Sequence, residues 1–438
     1  MKKVIALILV FLIAFVGCIE STSESISESI SESISETKTV KLGVEVFLEK
    51  YLNLVEGKKV GLVTNPTGVD SKLNSDVDLF YKHPEIELVA LYGPEHGVRG
   101  NAQAGEYVPY YIDEKYNLPV LSLYGQSRKP DPEMLKNIDE YMRSFDATNG
   151  EKIPNEVDVL IFDIQDVGTR IYTYIATMAY CMQTCAEVDI DFIVLDRPNP
   201  INGLDMEGPT LEYPEYSSFV GLYPIPIRHG MTVGELAELF NDRIFERKVN
   251  LTVIPMENWK RDMWYDETAL PWVIPSPNMP TLNTATVYPG QVFIEGTDLS
   301  EGRGTTKPFE LFGAPWIDGH ELTKKLNELN LPGVAFREAW FTPIFSKYRG
   351  ELCGGSQIHV TDREEYRPFE TTLYIIETTM NMYPDEFEFN EKHFDRLAGN
   401  SWVRENLQNN IPVKSIVNRY GNDLKEFSST RELYLIYP

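Results

Sequence analysis

Glu95 and His96 stand between a proline and a glycine in Tyr92-Gly-Pro-Glu-His-Gly-Val-Arg-Gly100, and Glu106 follows closely in Ala104-Gly105-Glu106. Carboxylates on one loop suit glycoside cleavage, which needs an acid to protonate the leaving oxygen and commonly a second group as base or nucleophile. Spacing does not say which carboxylate takes which role, nor whether the anomeric configuration is retained or inverted. Gly97 permits the tight turn that would present both side chains. A solvated loop or a cap is the competing account of Glu95 and His96, and a surface position that of Glu106.

Asp163 closes an apolar run and is the third catalytic candidate. Asp166 and Arg170 follow in Asp163-Ile-Gln-Asp-Val-Gly-Thr-Arg170, where an aspartate can cap the next helix and orient the arginine. Arg170, Tyr172 and Tyr174 open that helix, facing either sugar hydroxyls or the core. Further on, Pro275-Ser-Pro-Asn-Met-Pro-Thr281, Tyr288-Pro-Gly290 and Glu295-Gly-Thr-Asp-Leu-Ser-Glu-Gly-Arg-Gly-Thr-Thr306 combine rigid prolines with glycines that let backbone approach a ligand. Asn278, Glu295, Glu301 and Arg303 join Asn65, His96, Arg99, Asp166, Arg170 and Tyr174 as candidate substrate-binding residues. A hinge without ligand contacts would use the same loops.

These residues need a scaffold. Val60–Thr64, Glu87–Leu91, Pro119–Leu123, Val157–Asp163 and Phe192–Asp196 are short apolar runs separated by helix-length segments, which predicts a Rossmann-like α/β fold with a doubly wound, mostly parallel sheet. Ligands collect at the carboxyl ends of such strands, and Asn65, Glu95, Asp163 and Asp196-Arg-Pro-Asn-Pro200 all fall there. A helix is expected over Ile171–Val188, and another from Thr232, whose pairing with Glu235 forms a capping box. Loops then dominate to Pro315. A helix over His320–Leu329, strands near Val334–Glu338 and Ser356–Thr361, and a helix over Phe369–Met382 follow in α+β order. The α/β domain is placed at 41–265 and a smaller α+β domain at 266–438.

The 438-residue chain has ample length for two domains, and its hydrophobic share of 42% is that of a globular protein. A formal charge of −26 without a basic block excludes nucleic acid as a partner. An acidic glycan would therefore need a locally cationic pocket. Met1-Lys-Lys3, an apolar run from Val4 to Val16 and Gly17-Cys18 read as a secretion signal (1–18) with a lipobox-like end, which makes Cys18 a candidate lipidation site and membrane anchor. The Ser-Glu-Ser-Ile repeats in 19–40 form a solvated tether. Cys181, Cys185 and Cys353 show no disulfide or metal spacing and suit buried apolar positions.

Five motifs in order, Gly93-Pro-Glu-His-Gly97, Asp163–Arg170, Asp196–Pro200, Pro275-Ser-Pro-Asn-Met-Pro280 and Ser300-Glu-Gly-Arg-Gly304, resemble the DUF1343/YbbC/NamZ family from about residue 42 to the C-terminus. The resemblance implies an α/β domain joined to a smaller α+β domain, with a cleft between them. It also implies exo-β-N-acetylmuramidase activity on the non-reducing ends of peptidoglycan fragments, without a cofactor. On that basis Glu95 is the preferred general acid. Arg99, Arg170 or Arg303 would supply a forked contact to the lactyl carboxylate of the sugar. The seryl-glutamyl tether is not part of the family motif set. The rival accounts are a metal-dependent hydrolase or esterase using Glu95, His96, Asp163 and Asp166, and a tethered glycan-binding lipoprotein without catalysis. A dinucleotide site is rejected because Asn65-Pro-Thr-Gly68 stands where G-x-G-x-x-G would be.

Overall fold

The computed structural model describes residues 39–125, 127–148, 150 and 153–438. The secretion signal, Cys18 and nearly all of the tether lie outside the described residues. Strands β1 (Lys59–Thr64), β2 (Glu87–Gly93), β3 (Tyr111–Asp113), β4 (Leu118–Ser122), β5 (Val159–Asp163), β6 (Asp191–Leu195) and β7 (Leu251–Ile254) form one sheet in the order β3-β4-β2-β1-β5-β6-β7. All neighbours pair in parallel except β3 with β4. The inner strands are buried on both faces, which is why they read as unbroken apolar runs. Strand order reverses at β1, which lies between β2 and β5, so the crevice above their carboxyl ends is where this topology places ligands.

The expected runs match β1, β2, β4, β5 and β6, whereas β3 and β7 are too short to show a period of their own. The expected Ile171–Val188 helix begins later, at Tyr174–Glu187. Before it, Thr169 bridges Arg228 and the Arg170 amide donates to the Ile227 carbonyl, which holds the chain extended. In the helix Val233–Arg243, the Thr232 hydroxyl accepts from the Glu235 amide while the Glu235 carboxylate accepts from the Thr232 amide at 3.0 Å. Both halves of the expected capping box are present.

Strands β8 (Leu311–Ala314), β9 (Val334–Phe341) and β10 (Cys353–Val360) make a second, antiparallel sheet in the order β8-β10-β9. Helices Gly319–Glu328 and Pro368–Met382 accompany it, close to their expected positions. The segment before β8 departs from the all-loop expectation. Leu282–Gln291 is a helix that runs through Pro289. Gly290 lets it touch the helix Pro368–Met382, because a Cβ there would come within 1.9 Å of the Pro368 carbonyl oxygen.

One core joins the two sheets: Phe162 and Phe192 belong to the same buried cluster as Phe293, Phe312 and Phe369. The C-terminus also returns to the larger sheet, where Tyr437 donates to Asp196 at 2.6 Å and the Pro438 carbonyl accepts from the Arg261 amide at 3.0 Å. A site between the sheets therefore has walls fixed to a common core. Cys181, Cys185 and Cys353 are buried free thiols.

Candidate active site

The loop after β2 turns through two consecutive left-handed residues, His96 at φ 73° and Gly97 at φ 76°. For histidine that conformation is uncommon and must be held by its surroundings. The His96 ring does this, with Nδ1 donating to the Ala102 carbonyl at 2.7 Å. Burial lowers the His96 pKa against the opposing pull of the Glu95 charge, so the ring is neutral and Nε2 is left as an acceptor.

This turn points Glu95 inward, where it is only 8% exposed. Its Oε1 accepts from the Gly105 amide at 3.1 Å and its Oε2 from the Thr173 hydroxyl at 2.8 Å. Thr173 is the N-cap residue of the helix Tyr174–Glu187, so Glu95 also lies at the positive end of a helix. No cation pairs with it among the described residues.

Glu95 opens on a cavity of about 150 Å3 that both halves of the chain line. The α/β half contributes Glu95, His96, Tyr172, Thr173, Tyr174 and Val220; the other wall has Ser276, Asn278, Tyr288, Glu295, Arg303, Phe309 and His393. Tyr174 donates its hydroxyl to the Pro275 carbonyl and so fastens the helix to the loop that carries Asn278. Burial raises its pKa, as it does that of Tyr288, so both remain neutral donors.

The far wall is electrostatically different. Arg303 bonds Glu295 at 2.7 Å, approaches Glu301 at 3.3 Å and lies over the Phe309 ring at 5.0 Å. His393 Nε2 is 3.6 Å from the other Glu295 oxygen. Burial alone would raise the Glu295 pKa, but Arg303 and His393 outweigh it and pull it down to about 2. Lys347 sits 3.3 Å from Glu301 and also donates to the Ile294, Thr297 and Leu299 carbonyls, fixing the backbone beneath Glu295.

Several candidates take other positions. Asp163 is fully buried and bound by Arg197 through bonds of 2.5 and 2.9 Å. It serves the strand ends rather than the cavity. Arg170 is also fully buried, donating to the Pro209, Ile225, Leu397 and Ala398 carbonyls, and lack of solvent lowers its pKa to about 9. It joins the two halves with both Nη atoms engaged, and its Nε, without a partner among the described residues, is sealed from solvent. Asp166 accepts from the Gly168 amide at 2.7 Å, and burial raises its pKa to about 7. Asn65 accepts from the Thr67 amide and hydroxyl behind Tyr174. Glu301 is buried behind Arg303.

Glu106 and Arg99 line a separate groove of about 820 Å3, which meets the cavity at His96. Glu106 accepts from the Gln103 amide at 2.8 Å and closes its own turn, while half-exposed Arg99 pairs with Asp113. The metal reading needed Glu95, His96, Asp163 and Asp166 around one point, but Arg197 occupies both Asp163 oxygens. Among the described residues no group of three or more His, Cys, Asp or Glu side chains has metal-ligand geometry.

Sequence reasoning did not single out Thr173, Val220, Phe309 or His393. His393 is one histidine in an amphipathic helix, Glu391–Ala398, with no distinguishing neighbour. Thr173 could have been found from its position between the two tyrosines that open the earlier helix.

Relatives share this framework. The chain matches the family models for the N-terminal part of the exo-β-N-acetylmuramidase NamZ over residues 60–146 and 141–283, and for the C-terminal part over 286–437. It is 54% identical over 399 residues to the peptidoglycan β-N-acetylmuramidase NamZ of Bacillus subtilis (strain 168), covering 91% of each chain. Two crystal structures of DUF1343 family proteins from Bacteroides fragilis NCTC 9343 superpose on it. One has a TM-score of 0.81 at 38% identity and the other 0.69 at 31%, each over 91% of this chain and 99% of theirs. With both family models matched in order and this identity over nearly the whole length, the chain belongs to the exo-β-N-acetylmuramidase NamZ (DUF1343) family.

Proposed function

We propose that this protein is an exo-acting glycoside hydrolase that releases terminal β-1,4-linked N-acetylmuramic acid from the non-reducing ends of peptidoglycan fragments. The observation that carries the mechanism is the pair of unlike carboxylates on one small cavity, Glu95 among uncharged donors and Glu295 clamped by Arg303. Environments that separate two carboxyl groups in this way assign them different tasks.

Glu95 is the general acid. The Gly105 amide and the Thr173 hydroxyl fix the carboxyl in place, so its proton can be delivered to the glycosidic oxygen as the bond breaks. Glu295 remains anionic throughout the working range and favours the positive charge that builds at the anomeric centre. Tyr174, Tyr288 and Asn278 offer hydrogen-bonding groups to the sugar, while Val220 and Phe309 limit water. Bond cleavage leaves the shortened glycan with the proton from Glu95; a water molecule then adds its hydroxyl to the anomeric carbon of the released sugar, and its remaining proton restores the Glu95 carboxyl.

Its substrate is an extracytoplasmic polymer, so we also propose that the secretion signal and Cys18 tether the enzyme outside the cell membrane. Incubating the enzyme with a disaccharide bearing non-reducing-terminal N-acetylmuramic acid and identifying the products by mass spectrometry tests the function. Free N-acetylmuramic acid plus N-acetylglucosamine is expected. An intact disaccharide under saturating enzyme would contradict it, and binding without release would favour a glycan-binding protein instead.

A further inference from the structure

Each of the arginines expected to hold the lactyl carboxylate is already engaged by the protein. Arg170 is spent on four carbonyls, Arg99 pairs with Asp113 beside the other groove, and Arg303 already faces Glu295 and Glu301. With Lys347 counted, that last cluster balances its charges and offers an anion little attraction.

Arg128 differs from all three. It follows β4, at the same edge of the sheet as Glu95. Its guanidinium lies 4.9 Å from the Tyr124 ring centre and 4.8 Å from that of Phe219, and it makes no ion pair among the described residues. Among the described residues its one polar contact is from Nη2 to the Tyr124 hydroxyl, at 3.2 Å. Burial, together with the nearby Glu95 charge, raises the Tyr124 pKa, so this hydroxyl stays neutral close to the candidate acid. Phe219 precedes Val220 of the cavity wall, and the apolar cluster of Tyr124, Phe219 and Ala176 rests on the helix that begins at Tyr174. Two rings therefore hold an exposed guanidinium, without an ion pair among the described residues, next to the segment that supplies Val220 to the cavity wall.

We propose that Arg128 binds the lactyl carboxylate of the terminal muramoyl unit and so selects that sugar over an uncharged N-acetylhexosamine. The inference rests on the muramidase reading above. A substrate carboxylate supplies the anion that Arg128 lacks among the described residues, and the aromatic shelf holds the fork in position before binding.

The test uses 4-nitrophenyl β-N-acetylmuramide and its lactyl amide, in which the negative charge is removed while the shape is nearly kept. The preference of the wild-type enzyme for the acid over the amide, as a ratio of kcat/KM, is expected to fall about 10- to 100-fold in Arg128→Ala, mainly through KM. Arg128→Lys should keep part of the preference, since it restores charge but not the fork. An unchanged ratio in Arg128→Ala, with both substrates still cleaved, would overturn the role of Arg128 alone. Failure of the wild-type enzyme to cleave either glycoside would overturn it together with the muramidase reading.

Discussion

Glu95 and Asp163 both follow apolar strands at the same edge of the sheet and looked alike in the sequence, yet they differ in what satisfies their oxygens. Asp163 is enclosed and neutralised by Arg197 through two bonds. Glu95 is held by an amide and a hydroxyl, with a cavity in front of it and no paired cation among the described residues. A carboxylate locked to a buried guanidinium cannot pass a proton to a ligand without breaking that pair, whereas one held by neutral donors can. The nature of the partner, more than strand-end position, separates the reactive group from the supporting one.

Substitutions can break this comparison from either side. Glu95→Gln should lower turnover of the natural disaccharide by about 10²- to 10⁴-fold while the melting temperature stays near that of the wild type, because the amide keeps an acceptor for Gly105. Steady-state kinetics and thermal unfolding on the same sample check both halves. Arg197→Ala should do the reverse, costing about 3–5 kcal/mol by leaving Asp163 buried and unpaired, and this is readable as a loss of unfolding free energy. Loss of turnover without loss of stability in that variant would place Asp163 in the chemistry after all.

Asp166 sharpens the contrast through pH. Its folded-state pKa of about 7 lies above the ordinary 3.8, so the folded protein binds the extra proton between those values and loses stability as pH rises through them. Asp166→Asn removes that loss. Relative to wild type, its unfolding free energy should rise on the order of a few kcal/mol from pH 4 to pH 8, and a pH-independent difference would contradict the assignment. Glu106→Gln should have the smallest effect, with kcat/KM on the disaccharide within about threefold of wild type, since exposed side chains outside the machinery contribute little.

Much of the scaffold was legible because fully buried parallel strands leave continuous apolar runs and the Thr232–Glu235 cap writes its signature locally. The helix through Pro289 was not, since proline and glycine suggest a loop unless the packing of Gly290 on Pro368 is known. The site divided along the same line. Glu95, Asn278, Glu295 and Arg303 were marked by dense motifs of proline and glycine and do share one cavity. Arg170 and Asp163 carried equally dense motifs for a structural reason, namely satisfying carbonyls and pairing charges where the chain is most buried. His393 reaches the cavity only through the docking of the helix Glu391–Ala398, a long-range event with no local trace.

The most direct measurement of the acid role compares wild type and Glu95→Gln on β-N-acetylmuramides whose leaving groups range from a sugar hydroxyl to 2,4-dinitrophenol. A phenolate that departs without a proton does not need the acid. The defect should therefore be about 10²-fold or more with the sugar and shrink towards none with dinitrophenol. An equal loss across the whole series would show that Glu95 does something other than protonate the departing oxygen.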